Sequence, residues 1–198
     1  MTDWNGTRIG CAMTGSFCTF RQAFDAWAAL KRANADLTPI LSFNAAQTDT
    51  RFYPAAEAVR AFEAICGRSA LRTLAQVEPI GPKKLLDALV VMPCTGNTLA
   101  KLACGVADTP VTLAVKSHLR NGRPVVIAVS TNDALGQNAK NIGALLAAKH
   151  FFFVPFRQDD CAEKPNSAVA RFDLLPETLI CALEGRQIQP ILLGNANI

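Results

Sequence analysis

The chain has 198 residues, half of them hydrophobic and 18% charged, and 20 Lys and Arg against 16 Asp and Glu give a formal net charge of +4. That length fits one compact domain over residues 1–198 that buries roughly 70% of its unfolded surface, and the apolar fraction excludes a disordered chain. The basic residues are scattered, with Lys31-Arg32 and Lys83-Lys84 the only basic doublets, so nucleic-acid binding has no support.

No basic segment leads into an apolar one at the start, so no signal peptide is expected. The longest apolar runs are too short to span a bilayer. Seven Cys without a C-x-x-C pair, beside His118 and His150 as the two His, leave no zinc pattern. Free thiols in a reducing compartment are the expectation, and hence a cytoplasmic protein.

The first expected strand is the apolar run at residues 8–13, broken by Thr14-Gly15-Ser16. Phe20, Ala23, Phe24, Trp27, Ala28 and Leu30 then recur at helical spacing. Residues 37–43 read as a second strand, 44–54 as a loop, 55–66 as a helix, followed by another helix to about Val77. Asp87-Ala88-Leu89-Val90-Val91-Met92 is a buried central strand stopped by Pro93. Helices are predicted over 97–106 and 111–120, and a buried strand over 124–129. Asp133 caps a helix that runs to about Lys149, with His150 near its negative end. Residues 151–156 form a further strand, 157–166 a long loop or flap, 167–184 a last helix, and 190–193 an apolar tail. This alternation predicts an α/β protein, a three-layer α/β/α sandwich around a Rossmann-like parallel sheet.

In such sheets ligands bind beyond the carboxyl ends of the strands. Thr14-Gly15-Ser16, Thr95-Gly96-Asn97-Thr98 and Ser130-Thr131-Asn132 each follow a strand and lead toward a helix. Such turns offer backbone N–H groups and a helix N-terminus to a phosphate. Any one of them is equally an ordinary helix cap; three at successive strand ends favour a phosphorylated ligand. Gly10 and Gly15 do not make G-x-G-x-x-G, and Ser42-Phe43-Asn44 holds no acidic residue for a ribose. No Gly-Lys-Ser/Thr occurs either. A mononucleotide with one terminal phosphate, such as FMN, therefore fits better than NAD or ATP.

Gly10-Cys11-Ala12-Met13-Thr14-Gly15-Ser16 resembles the first phosphate loop of the flavin-dependent cysteine decarboxylase superfamily. Pro93-Cys94-Thr95-Gly96-Asn97-Thr98 and the residues after it are similar to that superfamily's Pro-Ala-Ser-Ala-Asn-Thr motif, and Asn132 stands where it carries the asparagine of Pro-x-Met-Asn. Arg120-Asn121-Gly122-Arg123-Pro124, Ser130-Thr131-Asn132-Asp133-Ala134-Leu135-Gly136, Pro155-Phe156-Arg157-Gln158-Asp159-Asp160 and Lys164-Pro165-Asn166-Ser167 resemble one branch, the family of dipicolinate synthase B subunits.

The resemblance implies an FMN site at an interface of a homo-oligomer, a trimer or a multiple of trimers. Thr14, Gly15, Ser16 and Ser42 would face the phosphate; Pro93, Thr95, Asn97 and Thr98 would hold the phosphate and ribityl chain; Asn132 would lie near the reacting centre. One departure bears on chemistry. The decarboxylases place an essential His about eight residues before the Asp of the third strand, and counting back from Asp87 reaches Pro79, which cannot transfer a proton.

The branch implies oxidation of dihydrodipicolinate to dipicolinate in the mother cell of a sporulating bacterium, with a separate A subunit that resembles a nicotinamide dehydrogenase and would bring NADP. The small-molecule substrate carries two carboxylates, which makes Arg51, Arg120 and Arg123 candidates to bind them; each is equally a solvated or structural Arg. His118 is a candidate proton acceptor. Asp159, Asp160 and Lys164 form either a flap over the site or a solvated loop, and Met13 and Met92 read as core. Three activities remain open: an FMN-binding redox subunit, a flavin-free subunit that presents the dicarboxylate to the A subunit, and a decarboxylase with another base.

Overall fold

The structure, a computed structural model, describes residues 3–194. Strands β1 (Arg8–Met13), β2 (Asp36–Leu41), β3 (Ala88–Cys94), β4 (Val125–Thr131) and β5 (Phe151–Phe153) form a parallel ladder in the order β2-β1-β3-β4-β5. Every residue of β3 is buried, as expected of a strand covered on both faces. Helices α1 (Phe20–Arg32), α2 (Phe43–Gln47) and α3 (Ala55–Cys66) connect β1, β2 and the following segment; α4 (Leu74–Val77) precedes β3. Then come α5 (Gly96–Ala103), α6 (Pro110–Leu119), α7 (Asn138–Ala147) and α8 (Leu175–Leu183). The expected α/β/α architecture is present. None of the described helices is long and apolar enough to cross a membrane.

Periodicity explains the helices that cover the sheet. Phe20, Ala23, Phe24, Trp27 and Leu30 put one face of α1 into the core, against Ala58, Val59 and Phe62 of α3. The rings form a seam, with Phe24 to Phe62 at 6.1 Å and Trp27 to Phe62 at 6.3 Å between centroids. Gly67 ends α3 at a φ of 74°, a conformation that a side chain resists.

Several elements depart from expectation. Ser42 does not continue β2; its Oγ accepts from the Ala45 N–H and caps α2 inside the expected loop. The strand of 151–156 is two strands: β5 lies along the first half of β4, and β6 (Phe156–Asp160) turns away after Val154-Pro155. The expected flap is a hairpin, because β6 pairs antiparallel with β7 (Lys164–Ala170), and β7 in turn pairs with the end of β4. Residues 167–170, expected in the last helix, therefore belong to a strand, and α8 starts only at Leu175. β6 is the edge strand, and Pro165 lies in the part of β7 that β4 does not pair, where charge and a missing N–H are tolerated.

The order β2-β1-β3 means that the chain leaves β1 to one side and resumes on the other. Such a reversal opens a crevice between the carboxyl ends of β1 and β3.

Candidate functional site

The crevice is a cleft of about 1300 Å³ that runs from the end of β1 across β4 to the β6–β7 hairpin. Its floor is built by the turns after β1, β3 and β4. The Thr14 hydroxyl donates to the Pro93 carbonyl at 2.8 Å and accepts from the Thr95 N–H at 3.0 Å, which ties the first two turns together. The Ser16 and Ser130 hydroxyls hydrogen-bond at 2.7 Å, which ties the first to the third. Thr95 caps α5: its Oγ1 accepts from the Thr98 N–H and lies 3.0 Å from the Thr98 hydroxyl. The first N–H groups of α5 have no intrahelical acceptor and carry the positive end of its dipole.

Gly96 explains why α5 starts so close to its neighbour. A Cβ there would stand 2.4 Å from Asn138 Nδ2 and 2.8 Å from Thr131 Oγ1. Asn138 is itself held by the Asp133 carboxylate, which also accepts from the Gln137 N–H. Asp133 thus caps the turn before α7, and the helix begins at Asn138, later than expected.

The structure places only some of the candidate cofactor residues in the lining, which does not include Asn97. Gly15, Ser16, Thr95 and Asn132 line the cleft. Thr14, Thr98 and Pro93 are buried behind them, and Thr14 spends its hydroxyl on the two bonds just described. Asn97 is exposed at the start of α5. Ser42 is buried as the α2 cap and is not part of the lining. Asn132 is exposed, and its Oδ1 accepts from the Ser167 hydroxyl at 3.4 Å.

Arg51 lines the cleft with its guanidinium over the Phe52 ring, 4.9 Å from the centroid. Arg120, Arg123 and His118 do not. Arg123 lies just before β4 and the His118 ring meets the Pro124 carbonyl, so both stand at its amino end, which is about 17 Å from Ser130 along the strand. Arg123 donates to the Leu86 carbonyl and pairs with Asp87 at 3.2 Å, where Asp87 also receives Arg8 at 2.7 Å. The neighbouring guanidiniums, Arg8 first, hold the Asp87 carboxyl below its usual range. Arg120 is exposed at the C-cap of α6. The His118 ring is fully buried with Nε2 3.1 Å from the Pro124 carbonyl, and burial lowers its pKa to about 4. A proton acceptor for a substrate in the cleft has to reach it, and His118 does not.

Pro79 lies in a short 3-10 turn, Glu78–Ile80, which the Ser117 hydroxyl of α6 holds by donating to the Glu78 carbonyl. It is no part of the cleft lining. Cys11 and Cys94 are buried, and burial pushes both thiols up, away from nucleophilic character. Met13 and Met92 are core residues.

The far wall of the cleft comes from the hairpin and the segment after it. Asp159 and Lys164 of the hairpin pair at 3.3 Å, and Arg171 forks onto Asp173 at 2.8 and 2.5 Å. Arg157 lines the same wall, and Asp25, exposed on α1, lines the other side. Sequence patterns give Arg157, Arg171 and Asp25 no role. The alternation of Phe156 with Arg157, and of Ala168 and Ala170 with Val169, is the available signal of two half-buried strands.

Polar turns at a parallel-sheet reversal, joined by their own hydroxyls beside a helix N-terminus, make a cleft floor of the kind that suits an anionic group. A family model described as Flavoprotein matches residues 2–179, and the chain belongs to that family. Its relatives are more particular. The dipicolinate synthase B subunit of Bacillus subtilis (strain 168) is 46% identical over 195 residues, covering 98% of this chain and 98% of its own. The crystal structure of the dipicolinate synthase B subunit from Bacillus halodurans C has a TM-score of 0.89 at 40% identity, covering 98% of this chain and 100% of that one. The FMN-dependent cysteine decarboxylase SpaF shares the fold, with a TM-score of 0.66 at 22% identity over 90% of this chain and 98% of that one.

Proposed function

We propose that this chain is the B subunit of a dipicolinate synthase, that it binds FMN in the cleft, and that it takes part with an A subunit in oxidising dihydrodipicolinate to dipicolinate. The observation that carries the reading is the joined floor of the cleft, where Ser16 bonds Ser130 and Thr14 ties the turn after β1 to Thr95 at the opening of α5. Those donors, beside the N-terminus of α5, suit a phosphate monoester, and Gly96 lets that helix start tight against Asn138 and Thr131. The cleft is larger than the 300–1000 Å³ typical of small-molecule sites, so it has room for a mononucleotide and a small dicarboxylate together.

In this reading Ser16, Thr95 and Asn97 hold the phosphate and ribityl end, with Thr14, Pro93 and Thr98 fixing Thr95 from behind. Asn132 orients the reacting ring by hydrogen bonds; an amide does not act as a proton acceptor. Arg51 offers a cation to a carboxylate. Bound flavin supplies the two-electron acceptor that aromatising a dihydropyridine requires. The exposed rings of Phe43 and Phe52, 37% and 45% accessible, support a contact between protomers beside the site and so a homo-oligomer.

An absorbance spectrum of the freshly purified chain tests the reading. A flavin band that releases FMN by mass is expected, and Ser16→Ala or Asn97→Ala should weaken FMN binding by more than about tenfold, the value of one hydrogen bond to a charged group. A chain that stays colourless after FMN is added refutes flavin binding and favours the flavin-free subunit that presents dicarboxylate to its partner.

A further inference from the structure

The cleft carries four cations, Arg51, Arg157, Lys164 and Arg171, and their environments differ. Lys164 and Arg171 are matched by Asp159 and Asp173, and Arg51 is exposed over an aromatic ring. Arg157 is half-buried, and among the described residues no ion pair reaches its guanidinium. Asp173, whose carboxyl feels the Arg157 charge, is already forked by Arg171, whose hydrogen bond is the main cause of its lowered pKa; Arg157 adds a smaller share. Two guanidiniums around one carboxylate leave a surplus positive charge in a partly dehydrated wall.

Sheet register shows where that charge points. Arg157 pairs with Val169 on β7, and Val169 pairs with Ser130 on β4. Residues directly opposite each other in antiparallel pairs share a face, so Arg157 rises on the face from which Ser130 reaches Ser16. Two strand spacings separate Arg157 from Ser130, about 10 Å, a gap that the long side chain spans in part. From the phosphate donors at Thr95 it is one strand further, so it serves the end of the cleft away from the helix N-terminus.

We propose that Arg157 binds a carboxylate of the substrate and makes the cleft prefer a dicarboxylate to a monocarboxylate. The inference rests on the function proposed above and adds the residue that selects the substrate. A guanidinium matches a carboxylate through two parallel N–H donors, a geometry that Lys lacks. The hairpin is what presents it: without β6 in register, Arg157 would not share a face with Ser130.

Calorimetry of the full-length chain with dipicolinate, and with picolinate, which has a single carboxylate, tests this. Wild type should bind dipicolinate more tightly by about tenfold or more. Arg157→Met should bring the two affinities within about threefold while FMN affinity and melting temperature stay as in wild type. Arg157→Lys, which keeps the charge without the fork, should fall between. Wild-type dipicolinate affinity in Arg157→Met overturns the assignment, as does failure of wild type to bind dipicolinate. Loss of FMN instead of dipicolinate also overturns it, by making Arg157 a phosphate cation. The flavin reading is judged separately by the spectrum of the wild-type chain: Arg157 can fail while flavin is still bound.

Discussion

Acidification from pH 7 to pH 4 should remove about 3 kcal/mol of folding stability through His118 alone. Its pKa falls from 6.5 to about 4 in the folded chain, because burial penalises the charged ring more than the Pro124 carbonyl favours it. Above pH 6.5 both folded and unfolded chains carry a neutral imidazole, and the group contributes no pH dependence. Between pH 6.5 and 4 the unfolded chain takes up the proton and the folded chain does not, so stability falls as pH falls. Below about pH 4 the folded ring is protonated too, and the loss levels off. At about 1.4 kcal/mol for each tenfold change in proton affinity, the total is about 3 kcal/mol. Nδ1, buried without a hydrogen-bond partner among the described residues, becomes a donor with no acceptor when it is protonated.

Urea unfolding at pH 7, 5.5 and 4 reads this directly. His118→Gln, which keeps a donor for the Pro124 carbonyl, should flatten the slope over that range. An equal slope in wild type and variant would sink the assignment. Asp87 behaves differently, since its carboxyl is held below the ordinary value of 3.8 by Arg8. Its stabilisation is present above that value and disappears at lower pH than the His118 effect.

Thr14→Val should lower stability by about 2 kcal/mol, the cost of stripping a partner from buried backbone groups. Valine fills the same volume, so the loss reports the hydroxyl and not a cavity. Thr14 is 1% exposed and serves two turns at once, giving a proton to the Pro93 carbonyl and accepting one from the Thr95 N–H. The Pro93 carbonyl keeps the Thr14 N–H at 3.3 Å; the Thr95 N–H loses its acceptor. In a chain of this length the melting temperature should fall by about 4–8 °C. FMN affinity should fall with it, because the start of α5 is no longer tied to the end of β1. Thr14→Ser should restore both. A Val variant that melts and binds as wild type does would show that this hydroxyl ties nothing.

The three turns at the floor of the cleft are legible in the sequence because each is local: an apolar run, a few residues with short polar side chains, then helical spacing. Their use is only partly legible. Thr14, Ser16 and Thr95 look alike in a sequence, yet Thr14 is consumed within the protein while Ser16 and Thr95 face the cleft. Arg120 and Arg123 are candidates on chemistry alone, although the position of Arg123 just before a strand already places it at its amino end. His118 is a candidate because His titrates near neutral pH; its Pro124 contact is local, but its burial depends on α6 packing against β3 and the turn at 78–80, far earlier in the chain.

The hairpin is the element that sequence patterns misread most. The charges and Pro165 of residues 157–166 pattern as a loop, and Ala168 to Ala170 as the start of a helix. Pairing decides otherwise, since β7 finds a partner in Ser130 and Thr131 of a strand far earlier in the chain. Strand propensity is weak when a partner is unknown, because much of what it measures is the fit against neighbours.

By itself, then, the amino-acid sequence determined the α/β class, the places of the central strands, the polar turns that follow them, and the Flavoprotein family resemblance. These depend on spacing along the chain and on short-range chemistry. Tertiary structure alone decided that Ser16 meets Ser130, that the hairpin walls the cleft, and that Arg157 shares its face while Arg123 is spent on Asp87. Those outcomes depend on register and strand direction, and both are set by which distant segments bury their surfaces together.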